Sequence, residues 1–114
     1  APPSQVMAQV QLAALPADLD ARGEAAVVLV SGDRRLRIDV RHLVGTEGFQ
    51  EVWLIDRDVK RMVALGSLHA GRGEFTIPPG IELSEYPIVD ISAEPLDGDP
   101  THSGTSLLRG TLDA

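Results

Sequence analysis

The chain contains no cysteine and no asparagine, a single lysine (Lys60), one tryptophan, one tyrosine and two phenylalanines. Without cysteine there are no disulfides, no thiolate metal sites and no cysteine nucleophile. Nine of the ten basic residues are arginine, and together with the missing asparagine this reads as GC-rich coding composition rather than chemistry. Positive charge is itself scarce. Ten Lys and Arg stand against seventeen Asp and Glu, a formal charge of −7. That balance argues against DNA, RNA or anionic lipid as the main partner, because each requires a basic face. Aromatics make up only 4%, too few for the stacked platforms with which β-sandwiches hold carbohydrate. No apolar run approaches the ~20 residues that span a bilayer. No stretch has the charged, apolar and small-residue order of a signal peptide.

What is present is a chain of 114 residues, 43% hydrophobic, enough for one domain around one core. The opening "APPSQ" suits neither a helix nor a central strand. We expect residues 1–5 to be the remnant of a linker or stalk and residues 6–114 to form a single domain. The start without Met fits a processed protein or an excised domain. From Val6 the pattern has period two, with Val6, Ala8, Val10 and Leu12 on one face. "AAVVLVS" (25–31) is apolar on both faces, as in a strand buried within a sheet or meeting a second subunit. Leu36, Ile38 and Val40 alternate with Arg35, Arg37, Asp39 and Arg41, a core face backed by a charged one. "FQEVWLID" and "RMVALGSL" read as a hairpin across "DRDVK". "EFTIP" (74–78), "PIVDISAE" (87–94) and "SLLRGTL" (106–112) supply further strands, and turn signals recur about every ten residues. No segment keeps a helical period for three turns. The pattern predicts an all-β fold, an antiparallel two-sheet β-sandwich (Ig-like) of seven to nine strands. Its expected core is Val28, Leu36, Ile38, Val40, Val52, Trp53, Leu65, Phe75, Ile91 and Leu112.

The loop "EPLDGDPTHSG" (94–104) concentrates the residues capable of chemistry. Asp97 and Asp99 flank Gly98, with Asp90 and Glu94 upstream. Calcium takes about six to eight oxygens, and the spacing that would supply them in an EF-hand is absent. Asp and Gly here are expected to form turns through local side-chain-to-backbone bonds. His42, His69 and His102 show neither HxH nor HxxxH spacing and read as separate imidazoles near strand ends. His102 and Ser103 are adjacent on an extended chain, point apart, and lack a GxSxG elbow, so they make a poor nucleophile–base pair. His102 is expected to bond a backbone group or face solvent. Trp53 alternates with Phe49 and Ile55, which predicts a core anchor rather than an exposed ligand platform. Arg109, inside the last strand, is expected to face solvent or to pair with Glu94 or Asp97 and so pin the loop.

The ordered series "EVWLID", "MVALGSL", "GEFTIPPGIEL", "YPIVDISAEP" and "DGDPTHSGTSLLRGTL" resembles the C-terminal extracytoplasmic domain of the actinobacterial anti-sigma-K factor (RskA) family. The resemblance runs from about Gly23 to Leu112, and its specificity lies in the order of the pieces. It implies a larger architecture: a helical cytoplasmic domain that binds a sigma factor, one transmembrane helix, and this outer domain. In that architecture proteolysis outside and then within the membrane frees the sigma factor. The resemblance thus implies a sensory or regulatory domain on the extracytoplasmic side of the membrane, with an envelope protease or other protein as partner and the sigma factor bound elsewhere. It transfers no catalytic, cofactor-binding or metal residue, and no cofactor. A different class of protein, a small-ligand or metal-binding β-sandwich of the cell envelope with the acidic loop as its site, is the alternative. A secreted hydrolase is the third.

Overall fold

The computed structural model describes residues 4–15, 20–42 and 48–112. Its elements are β1 (Ser4–Ala14), β2 (Arg22–Val30), β3 (Asp33–Arg41), β4 (Phe49–Ile55), β5 (Met62–Ser67), β6 (Arg72–Thr76), β7 (Ile88–Glu94) and β8 (Ser106–Thr111). All pairings are antiparallel, and no helix occurs among the described residues. The eight strands fall within the seven to nine expected. They form one continuous sheet in the order β5-β4-β7-β8-β1-β2-β3-β6. The sheet rolls until its end strands, β5 and β6, lie against each other, so the two expected layers are opposite walls of a nearly closed barrel. Rolling leaves little unprotected sheet edge.

The closure depends on small residues. A Cβ at Gly66 on β5, or at Gly73 on β6, would lie under 3 Å from the ring of Phe75. The ring therefore fills the seam where the two end strands meet without a ladder between them. This explains why Phe75 and Leu65, both expected in the deep core, are only partly buried: they pack against the core from the seam.

The barrel interior follows the period-two pattern. Leu36, Ile38 and Val40 from β3 meet Ala25 and Val27 from β2, with Val52, Leu54, Val89, Ile91, Leu108 and Leu112 from the other wall. Across the ladders, Leu36 stands opposite both Val27 and Phe75, and Val52 opposite Ile91. The connection between β6 and β7 also faces this interior: Ile77 is buried, and Ile81, Leu83 and Tyr86 pack against the core. On the outer face of β3 the charges pair with β6: Arg35 and Arg37 with Glu74, and Asp39 with Arg72.

Three register irregularities interrupt strict alternation: one in the β4–β5 pair, where Leu65 is passed over between Gly66 and Ala64, and two, in β1 and β8, that change which face a residue takes. β1 carries an irregularity between Val6 and Ala8, so Val6 stands opposite Val28 while Ala8 stands opposite Val27. The extra residue changes the phase of the strand. Val6, expected inside, is half exposed on the outer face, whereas Ala8 and Leu12 are buried. β8 carries the second irregularity. Ile91 faces Leu108 but Ser92 faces Ser106, with Leu107 between. That shift brings the Ser106 hydroxyl onto the outer face beside β7.

Candidate functional site

The inner residues of β7, Val89 and Ile91, alternate with Asp90, Ser92 and Glu94 on the outer face. A charged face would ordinarily be solvated. Here all three polar residues are buried: Asp90 and Ser92 are 0% exposed and Glu94 is 4% exposed. Two things cover them. Trp53, which stands opposite Asp90 on β4, lies on this face, and the 95–105 connection folds back over it. Trp53 is buried as expected, but it lies outside the apolar cluster of the barrel interior and anchors this second, polar layer instead.

Asp90 is the centre of the layer. Its Oδ1 lies 2.9 Å from His102 Nε2. Its Oδ2 accepts from the Ser106 hydroxyl at 2.7 Å and from Arg109 Nε at 2.9 Å. Arg109 is directly opposite Asp90 in the β7–β8 ladder. The expected partners of Arg109, Glu94 and Asp97, are therefore replaced by an acid on the neighbouring strand. A cross-strand pair needs no loop to bring its members together. The His102 ring is fixed from both sides. Its Nδ1 accepts the Gly104 N–H at 2.8 Å, so Nε2 carries the proton that Asp90 receives. The ring centroid sits 4.9 Å from that of Trp53. The expectation of a backbone bond or a solvent-facing ring thus held for Nδ1 only, because the rest of the ring is a buried contact of Asp90 and Trp53.

A second chain of hydrogen bonds runs beside the first. Trp53 Nε1–H donates to Ser92 Oγ at 2.8 Å, and the Ser92 hydroxyl donates to Glu94. Glu94 Oε2 also accepts the Ser103 N–H at 3.1 Å. Burial pushes the Glu94 carboxyl up, but the Ser92 hydroxyl, the Ser103 N–H and the neighbouring His102 outweigh it and hold Glu94 below its ordinary value. Glu51, on the same side of β4, shifts the other way, raised by its own burial and by the charge of Glu94. Where the chain enters β4, Gly48 has φ 75°, and a Cβ there would collide with the Glu94 carbonyl. Only glycine lets these two segments approach so closely.

The rest of the loop holds itself. Asp97 accepts the Asp99 N–H at 3.0 Å, and Asp99 accepts the Thr101 N–H at 2.9 Å. These are the local turns expected of the DxD pair. Backbone and side-chain bonds from Thr101 hold the Asp99 carboxyl below its ordinary value. Ser103 Oγ donates to the Ala93 carbonyl and accepts the Thr105 N–H.

An acid, a histidine and serines are close together here, yet their order is not that of a hydrolase. A general base needs one ring nitrogen on the nucleophile and the other on its orienting acid. In this ring one nitrogen faces the acid and the other a backbone N–H, and both nearby hydroxyls donate elsewhere. His42 and His69 lie exposed at the end of β3 and in the β5–β6 turn. Among the described residues no three His, Asp or Glu side chains are grouped to hold a metal ion. Sequence reasoning missed Asp90 as the centre, and Ser92 and Ser106 as its supports. The available signal was an aspartate in the middle of "IVDIS", between residues that must be buried on both sides.

Fold and site together define a class: a small all-β module whose longest polar connection is fixed by buried hydrogen bonds to the outer wall of a barrel. Within that class the chain matches the family model described as "Anti-sigma-K factor rskA, C-terminal" over residues 1–106, and it belongs to that family. No curated protein and no solved structure matches it. The family is one of anti-sigma factors, so this is a regulatory domain whose full-length protein has a sigma factor as partner.

Proposed function

We propose that the chain is the extracytoplasmic domain of a membrane-anchored anti-sigma factor, without catalysis of its own. It controls sigma-factor-dependent transcription through contact with envelope proteins and through regulated proteolysis. The sigma factor is held by a separate helical part of the protein, on the other side of the membrane. The observation that carries this reading is the family match across nearly the whole chain. The polar layer supports it. Local opening sets the susceptibility of a folded domain to proteases, and a loop fixed at several buried points opens less often. A domain arranged in this way withstands the envelope until its fold is disturbed.

Topology can be tested directly. The domain has no cysteine, so Ser84→Cys, at an exposed position, introduces a single thiol into it. In the full-length protein, with thiols elsewhere replaced, a membrane-impermeant maleimide should label this site in intact cells. Labelling only after lysis would overturn the assignment. In the same cells, variants that loosen the polar layer should raise transcription from a sigma-dependent reporter.

A further inference from the structure

Of the nine arginines, six have a partner: Arg34 bonds backbone carbonyls, and Arg35, Arg37, Arg61, Arg72 and Arg109 each meet an acid. Among the described residues, Arg22, Arg41 and Arg57 have none. Two of these three, Arg22 on β2 and Arg41 on β3, stand directly opposite each other on the outer face of the barrel. Like charges so placed repel, and in a chain of net charge −7 acids are plentiful. The adjacent row of the same face holds a second like-charge pair, Glu24 opposite Asp39. Asp39 is occupied by Arg72 at 3.6 Å, while Glu24 has no partner among the described residues. Both rows line one depression of about 460 Å³, with Gln11, Asp20 and His42.

We propose that this depression binds a short peptide with free termini, its carboxylate bridging Arg22 and Arg41 and its amine meeting Glu24. Two guanidiniums side by side suit the two oxygens of one carboxylate. The rows lie two residues apart along the strands, about 7 Å, and two residues of extended peptide separate its ends by about the same distance. Asp20 and Glu24 balance the two arginines, which favours a ligand without net charge and disfavours a dianion such as phosphate. Gln11, on β1, offers an amide to the peptide bond between the termini. The site is separate from the Asp90 layer and does not depend on where the domain resides.

The test is a titration of the domain with Gly-Gly, followed by the arginine Nε–Hε and glutamate carboxyl resonances. Gly-Gly should shift Arg22, Arg41 and Glu24 with a dissociation constant of about 1 mM or tighter. The C-terminal amide and the N-acetyl form of Gly-Gly, each lacking one terminal charge, should bind about tenfold more weakly, the loss of one charge-assisted contact. Arg22→Gln and Arg41→Gln should remove the response, and Glu24→Gln should weaken Gly-Gly but not inorganic phosphate. These three residues are exposed, and unchanged amide spectra would show that the variants fold. No shift with Gly-Gly at about 10 mM, equal binding of phosphate, or full binding by Arg41→Gln would each overturn the proposal.

Discussion

Replacing Asp90 by alanine tests the polar layer at its centre. The carboxylate is fully buried and receives three hydrogen bonds, from side chains that bond no other acid among the described residues. Its loss leaves the His102 N–H and the Ser106 hydroxyl without their acceptor, and Arg109 without its counter-charge. Breaking a buried pair by removing one partner costs about 3–5 kcal/mol. The Arg109 side chain is 30% exposed and recovers some hydration, which places the expected cost toward the lower end. Against a typical total of about 5–15 kcal/mol this is a large fraction. Urea unfolding can be followed by the fluorescence of Trp53, the only tryptophan and a neighbour of the His102 ring. With a urea slope of about 2 kcal/mol/M, a loss of about 3 kcal/mol lowers the midpoint by about 1.5 M. Asp90→Asn should cost less, since one oxygen still accepts from His102 while the amide faces Arg109. Proteolysis should cut the 95–105 connection of Asp90→Ala faster than that of the parent. A midpoint change below about 0.5 M, equivalent to about 1 kcal/mol, would refute the claim that Asp90 holds the layer together.

Four further outcomes follow from the same structure. Val59 is exposed and held at φ 55° in the turn closed by Asp56, so Val59→Asn, which tolerates that conformation, should stabilise by about 1 kcal/mol; a lower urea midpoint would contradict this. Gly66→Ala forces a methyl into the Phe75 ring and should destabilise by about 1–3 kcal/mol, with part regained in the double variant Gly66→Ala/Phe75→Leu. Glu94, Glu74 and Asp56 have carboxyls held below their ordinary values by the Ser92 hydroxyl and Ser103 N–H, by Arg37 and Arg35, and by the Arg61 and Lys60 N–H groups respectively. Each therefore adds stability above about pH 4 that is lost as pH falls through its folded value. Glu51, raised, adds stability in acid that is lost as pH rises through its folded value. Asp99, held below its ordinary value by Thr101, acts in the same direction as the first three; with four groups against one, the urea midpoint should fall below about pH 4, and Glu94→Gln should flatten that fall. Finally, calorimetric titration of the metal-free domain with Ca²⁺, Zn²⁺ and Cu²⁺ should show no binding by the 94–104 loop, and micromolar binding lost in His102→Ala or Asp97→Ala would reverse that reading.

The class of fold and the interior of one wall were legible in local pattern alone. The alternation Leu36, Ile38, Val40 against Arg35, Arg37, Asp39 is a local property of one strand, and the pleat converts it directly into an inner and an outer face. The turns around Asp97 and Asp99 were legible for the same reason, since each bond spans two residues. The rest depended on how the strands are brought together. Val6 left the core because one extra residue in β1 reversed its phase, and periodicity contains no record of a bulge. Phe75 sits at a seam because the sheet rolls far enough to bring its two ends together, a property of all eight strands at once. Arg109 found Asp90 rather than Glu94 or Asp97 because register placed them opposite each other, nineteen residues apart in the chain. His102 and Trp53 became neighbours because the 95–105 loop folds over the outer face of β7, where a buried carboxylate on that strand takes hydrogen bonds from His102 in the loop and from Ser106 and Arg109 on β8.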